Sequence, residues 1–170
     1  MRILSCGWFL TTVLFATPFS NQAQKRPDFS GTWVAISPGD EGLEQTIIIQ
    51  TAKTLEVRDG SEGGQGRRVV YSLDGSESRN QHDVRGVLIV TVSRASWKGE
   101  QFIITSSTTY PDGSKSESVG TWSLDAKGHL VIEGAERMTR ADGTADGTGK
   151  LHVVLRRKSG QRPFQLLGFP

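Results

Sequence analysis

Glycine-containing turns at short, regular intervals are the sequence feature that most restricts the fold of this chain. The chain has 20 glycines in 170 residues, and many of them separate short runs rich in Val, Ile and Thr. Glycine adopts the positive φ that a tight hairpin turn requires, and β-branched residues favour strands. The pattern predicts antiparallel hairpins with turns at Asp59-Gly60, Asp74-Gly75, Lys98-Gly99, Asp112-Gly113 and Lys127-Gly128.

The runs between these turns predict strands at 30–36, 45–51, 55–58, 67–73, 86–94, 101–110, 115–124, 129–134 and 150–157. Short turns make consecutive strands neighbours, so we expect an antiparallel up-and-down meander. Closure removes the exposed edges of such a sheet. We therefore expect an all-β barrel of eight to nine strands, with a sandwich of two sheets as the alternative.

Four other segments have a predicted place in this barrel. Residues 87–92 are apolar on both faces of the strand, which indicates a central strand covered on each side. The glycine-rich stretches 59–66 and 141–149 are polar and predict mobile loops. The apolar residues of the tail from 159 onward predict packing on the outside of the barrel.

The first residues have the layout of a cleavable export signal. Arg2 precedes an apolar run at 8–15, which Pro18 and a polar stretch follow. The run is much shorter than the roughly 20 residues that a membrane-spanning helix needs. We expect cleavage after Ala23, which makes residues 1–23 a signal peptide and residues 24–170 one domain, periplasmic or secreted. Cys6 precedes the apolar run, so we expect it to be discarded rather than lipidated.

The cysteine content excludes certain kinds of site, and the charge balance argues against certain binding partners. Cys6 is the only cysteine, so the predicted mature domain contains neither disulfides nor thiolate metal sites. The 20 basic and 18 acidic residues give a net charge of +2 without a block of like charge. A balanced surface gives no electrostatic basis for binding nucleic acid or an anionic membrane. We expect a monomer without an integral membrane segment after signal removal.

The segment Asp28-Phe29-Ser30-Gly31-Thr32-Trp33 carries a family resemblance. It resembles the G-x-W opening of the lipocalin and calycin families, and it is similar to the start of small exported bacterial proteins without an assigned role. The resemblance implies a lipocalin-like barrel with a cavity for a small apolar molecule. In lipocalins an arginine from the last strand covers the tryptophan, and Arg156 or Arg157 would take that place. The helix and disulfides typical of lipocalins have no counterpart here.

Aromatic side chains are the candidate lining of such a cavity. We expect Trp33, Tyr71, Phe102, Tyr110 and Trp122 to contact a small, mostly apolar ligand in a protein without enzymatic activity. The alternative is a structural or protein-interaction module of the cell envelope, in which Trp33 and Trp122 fill the core.

Known catalytic and cofactor motifs are absent from the sequence. The chain has no Gly-x-Ser-x-Gly, Ser-x-x-Lys or His-Glu-x-x-His motif and no phosphate-binding loop. His82, His129 and His152 lie in separate segments, and a zinc site needs three converging ligands. The Asp142 and Asp146 turn repeat differs in spacing from a calcium loop. We therefore expect no catalytic residues, no metal and no cofactor.

Overall fold

The computed structural model describes residues 26–36, 45–60 and 67–158, which form ten β-strands. The strands are β1 (Gly31–Ala35), β2 (Thr46–Gln50), β3 (Thr54–Asp59), β4 (Arg68–Ser72), β5 (Glu77–Val84), β6 (Val87–Lys98), β7 (Gln101–Thr109), β8 (Lys115–Leu124), β9 (Leu130–Thr139) and β10 (Ala145–Arg157). All predicted strands are found, and β5 is an additional one.

The ten strands form a single antiparallel sheet in the order β4-β3-β2-β1-β10-β9-β8-β7-β6-β5. Consecutive strands are neighbours, as the meander predicts, and β1 also pairs with β10 through Trp33↔Arg157 and Ala35↔Leu155. The two edge strands, β4 and β5, lie in contact. The chain is therefore an all-β, nearly closed barrel.

The structure has more strands than the predicted eight to nine. The strand that the prediction missed is β5, because its side chains give no strand signal. It reads Glu-Ser-Arg-Asn-Gln-His-Asp-Val, which has only one β-branched residue. Its main chain nevertheless pairs with β6 along its whole length, from Glu77↔Arg94 to Val84↔Val87. Pairing with a neighbour, rather than side-chain propensity, determines this strand.

Side chains of β5, rather than a main-chain ladder, join the two edges of the barrel. Asn80 Oδ1 accepts a hydrogen bond from Val70 N–H at 2.8 Å, and Asn80 Nδ2 donates to Val70 O at 3.0 Å. Ser78 Oγ accepts from Ser72 N–H at 2.8 Å. The Asn80 amide thus supplies the donor and acceptor that a neighbouring strand would provide. We call this join the side-chain seam.

The hairpins β7–β8, β8–β9 and β9–β10 use the same three-residue turn. Each ends with a glycine at positive φ: Gly113 at 86°, Gly128 at 78° and Gly143 at 85°. In each of these turns an aspartate accepts a hydrogen bond from the N–H two residues further: Asp112 from Ser114 and Asp142 from Thr144, both at 2.9 Å, and Asp125 from Lys127 at 2.8 Å. Glycine removes the steric penalty of positive φ, so the turns at Gly113 and Gly128 were predictable, whereas Gly143 fell within the loop predicted at 141–149.

The prediction of a mobile loop at 141–149 is wrong for most of its length. β10 already begins at Ala145, and its first half pairs with β9 through contacts such as Thr148↔Arg137 and Lys150↔Ala135. A β-ladder uses main-chain groups, so Gly147 and Gly149 can take part in it without a side chain.

Buried apolar side chains are concentrated at one end, which we call the barrel base. Its core contains Phe29, Trp33, Ile48, Leu55, Leu73, Ala95, Phe102, Ile104, Trp122, Leu130 and Leu155. Phe29 lies before β1 and stacks on Trp97 with ring centroids 5.7 Å apart. β1 pairs with β10 only at the last three residues of β10, Leu155 to Arg157, so among the described strands the rest of β10 pairs with β9 alone.

The prediction that residues 87–92 are covered on both faces is wrong. Ile89 points inward and is buried, but Leu88 on the opposite face is 60% exposed. β6 lies next to an edge strand, and all described strands belong to one sheet, so none of them packs over its outer face.

Several predictions lie outside the described residues. These are the signal peptide at 1–23 with Cys6 and the cleavage site after Ala23, the loop predicted at 59–66 beyond Gly60, and the packing of the tail from 159 onward. Within the described ranges, no helix has the length and apolar character required to cross a membrane.

Candidate binding cavity

The inward-facing side chains of the long strands change character along the barrel. At the base, one registered row joins Trp97, Phe102 and Trp122 on β6, β7 and β8. Above it, two registered rows carry small polar side chains: Ser78, Ser93, Ser106 and Ser118 in the first, and Asn80, Thr91, Thr108 and Ser116 in the second. We call these the polar rows. Side chains two residues apart share a face, so Trp122 and Ser118 point to the same interior.

Many hydroxyl groups of the polar rows are paired by hydrogen bonds. Ser93 Oγ and Ser106 Oγ lie 2.8 Å apart, and Thr91 Oγ1 and Thr108 Oγ1 lie 2.9 Å apart. Ser116 Oγ donates to the Glu136 carboxylate. Paired hydroxyls make this interior polar without leaving these groups unsatisfied.

An open cavity of about 530 Å³ lies between the barrel base and the polar rows. Tyr71, Trp122 and Ile104 supply apolar wall, and Ser106 and Ser118 supply hydroxyls.

Glycines make room for this cavity. The inward positions at Gly120, Gly134 and Gly149 lie on its wall and carry no side chain. A Cβ added at Gly120 would find its nearest neighbours, Trp122 Nε1 among them, at 3.9 Å. A larger side chain at Gly120 would therefore occupy the cavity without a clash at its Cβ.

Three of the predicted ligand-contacting residues form one aromatic cluster. The ring centroids of Tyr71, Phe102 and Trp122 lie 6.2 to 6.5 Å apart, with interplanar angles of 75° to 78°. Phe102 is fully buried behind the other two. Tyr71 and Trp122 line the cavity, and their edge-to-face arrangement gives it two perpendicular aromatic walls.

Two polar atoms of these walls have no hydrogen-bond partner in the part of the chain that the structure describes. Within the described residues, neither Trp122 Nε1 nor Tyr71 Oη makes a hydrogen bond, and Trp97 Nε1 is the only side-chain polar atom that is both fully buried and unpaired. The Trp122 and Tyr71 atoms are therefore accessible from the cavity. Burial raises the pKa of Tyr71, while the nearby Arg67 acts in the opposite direction. The phenol is consequently neutral and can donate a hydrogen bond.

Trp33 lies in the barrel base, away from the cavity wall. It is fully buried, and its Nε1 donates to Phe29 O at 2.8 Å. The Cζ atom of Arg157 lies 4.8 Å from the centre of the Trp33 ring, and an Arg157 Nη donates to Asp28 O at 3.2 Å. Of the two candidate arginines, Arg157 therefore covers the tryptophan, because it pairs directly with Trp33 in the β1–β10 ladder.

Tyr110 is not brought together with the other four aromatic residues. It follows the end of β7 and borders a separate groove of about 370 Å³ on the outer face, together with Leu88 and Pro111. Its main-chain N–H donates to Ser114 O at 2.9 Å across the turn. The turn redirects the chain at this residue, which ends the strand alternation.

The cavity also contains residues that the sequence reasoning missed. Ser106, Ser118, Gly120 and Glu136 were not among the predicted lining residues. The signal for two of them lies in the period of two: counting back from Trp122 along β8 gives Gly120, then Ser118, on the inward face.

A second groove, of about 650 Å³, lies on the outer face of β6–β10. Arg94, Glu117, Arg137 and Lys150, all exposed, are among its lining residues. It lacks the buried aromatic walls of the inner cavity. The inner cavity is therefore the better candidate for a small-molecule site.

The three histidines lie on different parts of the sheet: His82 in β5, His129 directly before β9 and His152 in β10. His129 Nδ1 lies 3.0 Å from Asp125 Oδ2, and His152 Nδ1 lies 3.6 Å from Glu133 Oε1. Burial and the nearby Arg67 both lower the pKa of His82. In the part of the chain that the structure describes, no group of three His, Cys, Asp or Glu side chains is placed to hold a metal ion.

No protein-family model and no curated protein matches the sequence of this chain.

Proposed function

We propose that this protein is an exported, non-enzymatic, lipocalin-like barrel that binds a small, mostly apolar molecule in the inner cavity. The observation that carries the proposal is the pair of aromatic walls, Tyr71 and Trp122, facing an open space of about 530 Å³. Small-molecule sites are typically concave, about 300–1,000 Å³ in volume and apolar with a few polar groups. The inner cavity has each of these properties.

Two further observations support the lipocalin-like part of the proposal. The Trp33 ring is covered by Arg157 from the last strand of the barrel, the pairing that the G-x-W resemblance implies. Packed side chains close the base, and above it β10 has no pairing with β1 in the described residues, which leaves a route of entry for a ligand. Export rests on the sequence of residues 1–23 and is tested by N-terminal sequencing of the protein recovered from a bacterial periplasm.

Filling the cavity tests the proposed site. Gly120→Leu places an isobutyl group against Trp122 Nε1, at a position whose φ is not in the positive region. We expect it to weaken binding of any cavity ligand at least tenfold while the fold is retained. Gly147→Leu is the matched control, because Gly147 faces the same interior further along β10 and has no atom within 4 Å of an added Cβ.

The measurement is native mass spectrometry with a panel of lipids, pigments and polycyclic compounds. A wild-type complex that Gly120→Leu abolishes and Gly147→Leu preserves would support the proposal. If the folded wild-type protein bound no member of the panel, the proposal would fail, and the protein-interaction module would become the better interpretation.

A further inference from the structure

We infer that the cavity selects a flat, uncharged ring compound that carries a hydrogen-bond acceptor, such as a ring carbonyl, on the edge that faces Trp122 and Tyr71. This inference rests on the proposed binding function and adds the chemical class of the ligand. It depends on the shape of the aromatic walls, on the unpaired atoms in them and on the charges around them.

The shape of the walls favours a flat ring system. Tyr71 and Trp122 meet at 78°, with ring centroids 6.5 Å apart. A planar molecule can stack on one of these rings and present its edge to the other. The glycines at 120 and 134 leave the neighbouring wall without side chains, so a rigid ring meets no obstacle there.

The unpaired atoms favour an acceptor on the ligand. The indole N–H of Trp122 is a donor only, and it has no acceptor among the described residues. The Tyr71 hydroxyl is likewise unpaired in the described part of the chain and borders the same cavity. A ligand without an acceptor would displace water from both groups and leave them unsatisfied, which disfavours its binding. A carbonyl oxygen has two lone pairs and can accept from one or both.

The charges favour a neutral ligand. Glu136 lies on the cavity wall, and its carboxylate disfavours an anionic group. Lys150 is also among the lining residues, and its ammonium disfavours a cationic group. A neutral carbonyl satisfies the donors without encountering either repulsion.

The experiment compares 9-fluorenone with fluorene, two rings of nearly the same shape that differ in one carbonyl oxygen. We expect wild-type protein to bind fluorenone about tenfold more tightly than fluorene, as one to two added hydrogen bonds would give. Tyr71→Phe should reduce this preference to about threefold, and the Tyr71→Phe, Trp122→Phe double variant should abolish or reverse it. Fluorene affinity of each variant reports any change in the cavity itself.

Indole ¹⁵N–¹H resonances of the wild-type protein provide a readout that does not depend on a variant's folding. Fluorenone should shift the Trp122 Nε1–H resonance downfield, whereas fluorene should not. Trp33 is the internal control, because its Nε1 already donates to Phe29 O in the barrel base.

The outcomes separate the two proposals. If both compounds bind equally and the Trp122 resonance responds alike to both, the inferred acceptor is wrong and the binding function stands. If neither compound binds the folded wild-type protein at its solubility limit, the inferred ligand class is wrong. Failure of the whole ligand panel, measured separately, is what removes the binding function itself.

Discussion

The barrel base and the upper part of the barrel are built from the same long strands but have opposite interiors. At the base, Phe102 is packed among other rings and is fully buried, and Trp122 lies between this packed core and the cavity. Four residues away from these rings, in the direction away from the base, the same inward face of β7 and β8 carries Ser106 and Ser118. Aromatic packing stabilises the base, whereas the polar rows line a level at which β10 has no pairing with β1 in the described residues. One end therefore provides stability, and the other leaves space for a ligand.

The two regions should differ most in how much stability is lost when an inward-facing side chain is truncated. Phe102 is fully buried and contacts the rings of Tyr71, Trp97 and Trp122. We expect Phe102→Ala to lower the free energy of unfolding by about 3–5 kcal/mol, because it leaves a cavity in packed core. Ser106→Ala, on the same strand, should lower it by only about 1 kcal/mol through loss of its hydrogen bond to Ser93. Urea denaturation checks both, and equal effects would contradict the division.

A smaller effect should follow from opening the side-chain seam. Asn80→Ala removes both hydrogen bonds to Val70 and leaves those main-chain groups to water. We expect a loss of about 1–3 kcal/mol of unfolding free energy. Hydrogen exchange of the Val70 amide should accelerate, while amides in the β8–β9 ladder should be unaffected.

Gln81→Ala is the control for the seam, because Gln81 is the next residue on β5 and is exposed on the opposite face. If both variants had the same stability and the same exchange at Val70, Asn80 would have no special part in closing the barrel.

The smallest effect concerns an ion-pair cluster on the outer face of the short strands. Hydrogen bonds from Arg68 and then Arg58 lower the pKa of Glu56 from 4.5 to about 2. Because the folded-state pKa is depressed, the stabilisation is fully present above about pH 4.5 and is lost as the pH falls through 2. The arginines are largely exposed, so we expect Glu56→Gln to lower stability by less than about 1 kcal/mol at pH 6.

Thermal unfolding at several pH values tests the Glu56 prediction. The difference between wild type and Glu56→Gln should diminish between pH 4.5 and pH 2. A difference that stayed constant over this range would show that the glutamate acts through packing rather than charge.

The turns and most strands could be predicted because their signals are local. Gly113 and Gly128 occupy positions that demand positive φ, and a glycine after a polar residue is visible in the sequence. β5 and the first half of β10 could not be predicted in this way. Their side chains are polar or absent, and the hydrogen bonds that make them strands come from β6 and β9.

The candidate site was predictable only in part. Aromatic content pointed to Tyr71 and Trp122, which border the cavity, but also to Trp33 and Phe102, which are buried in the base. Sequence period places a side chain on a face and does not give its height above the base. Whether a ring is buried or lines a cavity depends on which residues lie beside it on the neighbouring strands. The register between the strands determines those neighbours.

The side-chain seam also affects how mutation can alter this fold. In a barrel closed by main-chain pairing, every residue contributes the same N–H and C=O groups, so most substitutions leave closure intact. Here the closing groups include an asparagine amide and a serine hydroxyl. Closure of the barrel therefore depends on the side chains of Asn80 and Ser78. A single substitution at either residue can weaken or strengthen closure without changing the rest of the sheet.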